Sequence, residues 1–277
     1  MPISFRLGSL ISMPSDSGRR VVLFVFAHPD DEFAVFPWIE DALRTGAQVH
    51  AAWLTDGGWG GQSIERRQSE SERVLTALGM PANHLHFLGA RLGIADGDLH
   101  LSLERAQAAL RELAERTGTT ELMAPAWEGG HQDHDAAHLA VCAVAKATGA
   151  RAWEYSLYHG EGLAGPFFKV LSLTARADAT EAIPTTLRQR ASYVTRCLSY
   201  RSQIKSFIGL LPLYAWQLRR ATAFRRRPVR FEATRERPHP GRLLYERRTG
   251  LSWDDFAAAT AAFRRGAGQD ERSAVDP

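Results

Sequence analysis

The sequence predicts an α/β domain: a doubly wound, mostly parallel sheet with helices on both faces, followed by a C-terminal extension. Two observations carry this. Short, continuously apolar runs recur along the first 155 residues, as strands buried on both faces require. Amphipathic stretches with helical spacing alternate with them, the strand–helix rhythm of parallel sheets.

The first run, VVLFVF (21–26), ends in a polar loop. VHAAWLT (49–55), HLHFLG (84–89), ELMAPA (121–126) and ARAWEY (150–155) read as the next strands. Residues 62–78, 102–116 and 135–147 have helical periodicity, and Gly79, Gly118 and Gly149 supply C-terminal stops. Beyond residue 160 the rhythm changes. FFKVLSLTA (167–175) reads as a further strand and 184–205 as one long helix, after which Pro212, Pro228, Pro238 and Pro240 cut the chain into short pieces. The expected organisation is an N-terminal tail (1–18), a main domain (19–205) and an extension (206–277) packed on that domain, its last ten or so residues mobile.

With 277 residues, 44% hydrophobic and 23% charged, the chain can bury a large core, and disordered and fibrous classes are excluded. No apolar run is long enough to span a membrane. The N-terminal stretch lacks a signal-peptide pattern. Cys142 and Cys197 are the only cysteines, so neither a disulfide framework nor a thiolate metal site is available, and a cytoplasmic location is expected. The pI near 9.1 comes from one segment. Residues 219–248 hold eleven arginines against three glutamates, and no nucleic-acid-binding motif accompanies them. That segment reads as solvated surface or as a contact for an anionic partner or substrate.

The chemistry is concentrated in two clusters. Ala27-His28-Pro29-Asp30-Asp31-Glu32 follows the first strand, and Gly129-Gly130-His131-Gln132-Asp133-His134 follows the strand at 121–126. In open α/β sheets ligands bind beyond the strand carboxyl ends, where the strand order reverses. A 3-2-1-4-5 order makes these two strands neighbours at that reversal. Three carboxylates beside a histidine call for a compensating cation. His28 and Asp31 supply two ligands and a histidine of the second cluster a third, which leaves a position open for water. Asp30 is then placed as a base towards that water, and the remaining histidine to stabilise an oxyanion or protonate a leaving amine. A plain turn with Asp30 or Asp31 capping a helix is the bland reading of the first cluster taken alone.

AHPDDE with GGHQDH resembles the LmbE-like (PIG-L-like) de-N-acetylases, zinc hydrolases that deacylate amino sugars, over roughly residues 20–205. The resemblance implies a Rossmann-like three-layer sandwich. It implies His28, Asp31 and His134 as zinc ligands, Asp30 as general base, His131 as the residue supporting the tetrahedral intermediate, and Asp133 as the residue orienting His131. Thr55-Asp56-Gly57-Gly58 resembles the family's glycine-rich loop, and Arg67 with Glu70 its Arg-x-x-Glu helix. Asp56, Arg67 and Trp59 are the candidate substrate contacts, Trp59 either by stacking on a sugar ring or as loop packing. Gly129 stands where some members carry a mobile tyrosine, so any proton donation credited to that tyrosine falls to another group, His131 first. His138 reads as a histidine on a helix face or behind the metal ligands. The apolar stretch at 207–216 reads as core packing, a dimer contact or cover for an apolar part of the substrate.

The expected activity is hydrolysis of the N-acetyl group of an N-acetylglucosaminyl-type conjugate, a natural-product or thiol-cofactor precursor among the options. The partner is then a small molecule, not a nucleic acid; self-association is left open. Two histidines and a carboxylate also describe an Fe(II) site, so Fe2+ and an oxidative enzyme are one alternative. A catalytically silent sugar-binding member is the other.

Overall fold

The computed structural model describes residues 19–269. The expected tail (1–18) and most of the expected mobile C-terminus lie outside them. Parallel strands β1 (Val21–Phe26), β2 (Gln48–Trp53), β3 (Leu85–Phe87), β4 (Glu121–Pro125) and β5 (Arg151–Tyr155) line up in the order β3-β2-β1-β4-β5. This is the order on which a shared crevice for the two clusters depended. Strand β1 shows why the runs are apolar throughout. Its Val22, Phe24 and Phe26 enter the core on one face, and Leu23 and Val25 enter the core on the other.

The first face is covered by α1 (Phe36–Arg44) and α2 (Ile64–Thr76). The second is covered by α3 (Leu88–Leu92), α4 (Leu103–Thr117) and α5 (Gln132–Thr148). Glycines Gly118 and Gly149 close α4 and α5 in the left-handed region. Helix α5 begins three residues earlier than its periodicity suggests, because His131 caps it by accepting from the Asp133 N–H.

After β5 the chain departs from the expectation in two places. The strand expected at 167–175 is reduced to β7 (Lys169–Val170), paired with β6 (Tyr158–His159). Leu171, with φ 50°, turns the backbone away there. The single helix expected at 184–205 is two, α6 (Leu187–Cys197) and α7 (Ile204–Gln217). The break is held by long-range hydrogen bonds: the Tyr200 hydroxyl donates to Glu32 (3.0 Å), and the Ser202 N–H and hydroxyl donate to Glu70 (3.1 and 2.6 Å). Together α6 and α7 complete the cover of the first face.

The segment after 206 also reaches the sheet itself. Strand β9 (Arg225–Pro228) runs antiparallel to β5, with β8 (Glu181–Ala182) beyond it. Arg226 is sandwiched between Trp38 and Trp153 at 4.3 and 4.1 Å from the ring centres, and buried Arg227 pairs with Glu154 and donates to the Thr174 carbonyl at 2.8 Å. Part of the arginine-rich segment is thus interior structure. Helix α8 (Leu244–Arg248) follows, and α9 (Trp253–Gln269) packs on the second face through Phe256. No helix among the described residues is long and apolar enough to cross a membrane.

Candidate active site

Both clusters lie at the carboxyl end of the sheet, one after β1 and the other after β4, where the strand order reverses. The first is a tight turn. The Asp31 carboxylate accepts from the N–H groups of Ala27 (3.1 Å) and His28 (2.8 Å), and the Asp30 N–H donates to Glu32 at 2.8 Å. Glu32 is itself clamped by the Trp53 indole N–H (2.9 Å) and the Tyr200 hydroxyl. Asp30 is held at φ 117°. That region is strained for a side-chain-bearing residue and persists only where neighbours enforce it.

The histidine rings of His28 and His134, 106 residues apart in sequence, stand 5.3 Å apart, and His131 stands 4.7 Å from His28. His28 Nε2 faces Asp133 (3.0 Å) and Asp96 (3.2 Å). Carboxylates only accept, so Nε2 carries a proton, and Nδ1, 3.6 Å from Asp31 Oδ2, is the nitrogen that would face a cation once it has given up its own proton. His134 Nε2 lies 3.2 Å from Asp31 Oδ1. The donor atoms of His28, Asp31 and His134 all fall within 4.8 Å of one another, and all three residues are buried. This set fits a divalent cation. It joins two imidazoles to one carboxylate, and a second carboxylate fixes the tautomer of His28, as outer partners of metal-bound histidines do. The set His28, Asp96 and His131 is also close enough, though Asp96 and His131 are only half-buried.

The charges follow from these neighbours. Burial opposes charge on His28, yet Asp96, Asp133 and Asp31 hold it well above the ordinary histidine value. Burial likewise opposes an ionised Asp31, but His134 and His28 hold it well below the carboxylate range. Asp30 is pushed up to about 8 by burial, with the Arg67 guanidinium pulling the other way. Burial and the charge on His28 bring His131 down to about 4. Its Nδ1 accepts from the Asp133 N–H at 3.2 Å, so the neutral ring presents an Nε2–H donor.

A cleft of about 330 Å³ opens over these groups, lined by His28, Asp30, Asp31 and His131 and by Trp59, Arg67, Asp96, Tyr158, Gln203 and Arg248 among others. Arg67 is buried and donates to the Gly57 carbonyl (2.5 Å), the Pro29 carbonyl (2.8 Å), Asp96 (3.1 Å) and Asp30 (3.3 Å). It ties the loops after β1, β2 and β3 together. Trp59 is 60% exposed at the rim.

Two expectations are corrected. Asp56 does not line the cleft, because its carboxylate braces the loops, accepting from Gly58 N–H (2.8 Å) and Asp96 N–H (3.1 Å). The Asp133 carboxylate turns to His28 and to the N–H groups of Gly97 (2.6 Å) and Leu99 (3.1 Å), so only its backbone meets His131. His138 points away from the cleft, its Nδ1 2.9 Å from the Pro125 carbonyl. Gly129 has φ 68°, a region that side-chain-bearing residues rarely adopt, and a Cβ there would meet the Leu243 side chain at 2.6 Å. Tyr158 supplies a phenol on the cleft wall, its ring 5.3 Å from that of His134. The sequence reading missed Asp96, Tyr158, Gln203 and Arg248. Of these only Asp96, in the glycine-flanked loop GIADGD, carried a signal, a carboxylate in a turn after an expected strand.

A parallel α/β sheet with two imidazoles and two carboxylates converging at its switch point defines a hydrolase-type centre. Residues 23–145 match the family model described as PIG-L, GlcNAc-PI de-N-acetylase. Over that stretch the chain is similar to the PIG-L family, and the protein is an enzyme of the deacetylase type. Similar solved structures include a deacetylase of the teicoplanin biosynthesis pathway (14% identity, TM-score 0.56, covering 75% of this chain and 97% of that one). They also include the N,N'-diacetylchitobiose deacetylase of Pyrococcus horikoshii (14%, 0.55, 77% and 85%) and the conserved protein TT1542 of Thermus thermophilus (22%, 0.51, 71% and 84%). At these identities the likeness establishes the fold. No curated protein gives a significant match.

Proposed function

We propose that the protein is a divalent-metal-dependent hydrolase, with zinc as the first candidate, that removes the N-acetyl group from an N-acetylglucosaminyl-type conjugate. The observation that carries this reading is the buried donor set His28, Asp31 and His134 with Asp30 and His131 on the same cleft wall. Held by those three residues, a divalent cation would polarise an amide carbonyl and acidify a water. Asp30, whose ionised form a bound cation and Arg67 would favour, takes the proton from the attacking water as the oxygen–carbon bond forms. The Nε2–H of His131 donates to the oxyanion. Asp30, then protonated, returns the proton to the nitrogen as the carbon–nitrogen bond breaks, and acetate and a free amine leave. Asp133 keeps the proton of His28 on Nε2, and Arg67 holds Asp30 towards the cleft. Trp59 and Arg67 are the substrate contacts of this reading.

Support also comes from the relatives. One is named for diacetylchitobiose, and another is described as the zinc-inhibited form of teicoplanin deacetylase Orf2, so the cation itself belongs in the test. The metal-free protein, reloaded separately with zinc, cobalt or ferrous ion, is assayed for acetate release from N-acetylated sugar conjugates. Asp30→Asn is expected to bind metal as the wild type does and release no acetate. Loss of metal from that variant would make Asp30 a ligand and overturn its assignment as base. Oxygen consumption with ferrous ion and no acetate release would overturn the hydrolytic reading.

A further inference from the structure

Residues 182–231 contain eleven Lys and Arg residues and no Asp or Glu. Helix α7 lies within this stretch. Its inner face is anchored by buried Phe207, Tyr214 and the following Leu218, with the Tyr214 hydroxyl donating to the Phe33 carbonyl at 3.0 Å. Its outer face is apolar where a solvated helix would be polar. Ile208 is 67% and Trp216 63% exposed, with Ile204, Gly209, Pro212, Leu213 and Ala215 also in solvent. Cations stand at both ends, Arg201 and Lys205 at one and Arg219 and Arg220 at the other, all exposed. None of these four forms an ion pair among the described residues. Arg219 lies over the Trp216 ring at 4.4 Å.

We propose that α7 is an interfacial helix that docks on an anionic phospholipid surface. Apolar and aromatic side chains enter the headgroup boundary, while flanking cations meet lipid phosphates, the combination such helices use. Two other occupants fit less well. A second copy across a two-fold axis would press this acid-free, basic rim against itself. Substrate in the cleft meets Ser206, Phe207 and Leu210 of α7, whereas Ile208, Leu213 and Trp216 do not line the cleft. Because α7 supplies part of the cleft wall, docking brings the cleft beside the bilayer. The inference does not depend on the chemistry proposed for the site.

The test is sedimentation of the full chain with vesicles of phosphatidylcholine alone and of phosphatidylcholine with phosphatidylglycerol. The wild type is expected to partition into the anionic vesicles only, and less as salt is raised. The pair Ile208→Ser with Trp216→Ser, both exposed and so compatible with folding, is expected to lower partitioning by at least about tenfold. The pair Arg219→Gln with Arg220→Gln is expected to weaken it and its salt dependence. Circular dichroism checks that both variants fold. Absence of binding to anionic vesicles, equal binding to neutral ones, or undiminished binding of the serine pair overturns the proposal. A soluble dimer that the serine pair dissolves overturns it in favour of a second copy.

Discussion

Glu128→Gln should change how the stability of this protein depends on pH. The Glu128 carboxyl is fully buried. One oxygen accepts from the N–H groups of Leu157 (2.8 Å) and Tyr158 (2.9 Å), and the other has no hydrogen-bond partner. Burial is the main cause that raises it to about 8, against the Ser156 side chain and the two backbone donors, which favour ionisation. Between about pH 4.5 and 8 the unfolded chain has therefore lost a proton that the native state keeps. The native state binds more protons, so stability contributed by this group is complete below the unfolded value and falls as pH rises through the folded one. The rise from 4.5 to about 8, at about 1.4 kcal/mol per pH unit, sets a ceiling of about 5 kcal/mol. Relaxation and water entry reduce this to an expected loss of about 2–3 kcal/mol. Glutamine keeps the acceptor for both N–H groups and cannot ionise. Urea unfolding midpoints at pH 5 and pH 8 read the difference between the two proteins, which cancels contributions from groups that do not interact with Glu128. The variant should match the wild type near pH 5 and exceed its stability at pH 8. A difference that stays constant across that range would refute the argument.

Asp133→Ala removes the acceptor for the Gly97 and Leu99 N–H groups and the partner of His28. It should cost about 2–4 kcal/mol in urea unfolding and about 10- to 100-fold in zinc affinity, measured by chelator competition. Gly130→Ala would place a methyl 1.9 Å from the Tyr158 carbonyl oxygen. That backbone cannot yield without moving the cleft wall, so a loss of about 3 kcal/mol or more is expected in thermal unfolding. Gly209 sits inside α7 with nothing near its missing Cβ, and Gly209→Ala should stabilise by about 0.5–1 kcal/mol in the same measurement.

Sequence alone determined the two-faced strands and their alternation with helices, because these are written in local hydrophobic period and in the rhythm of the chain, a rhythm that more than one strand order satisfies. It also carried the two clusters, each directly after an apolar run, whereas the order that sets β1 beside β4 and brings both to one crevice was decided by the tertiary structure. The tertiary structure decided what local pattern does not encode. Glu70 and Glu32 split the expected long helix by capturing Ser202 and Tyr200 from more than a hundred residues away. Arg226 and Arg227 look like solvent cations in a basic run, yet become interior only once β9 joins β5 and brings Trp153 and Glu154 beside them. Asp56 and Asp133 differ in role from the expectation because a carboxylate accepts from whichever N–H groups the loops bring nearest. Asp96, Tyr158 and Arg248 reach the cleft from three separate segments, an association that rests on packing and that no spacing along the chain records.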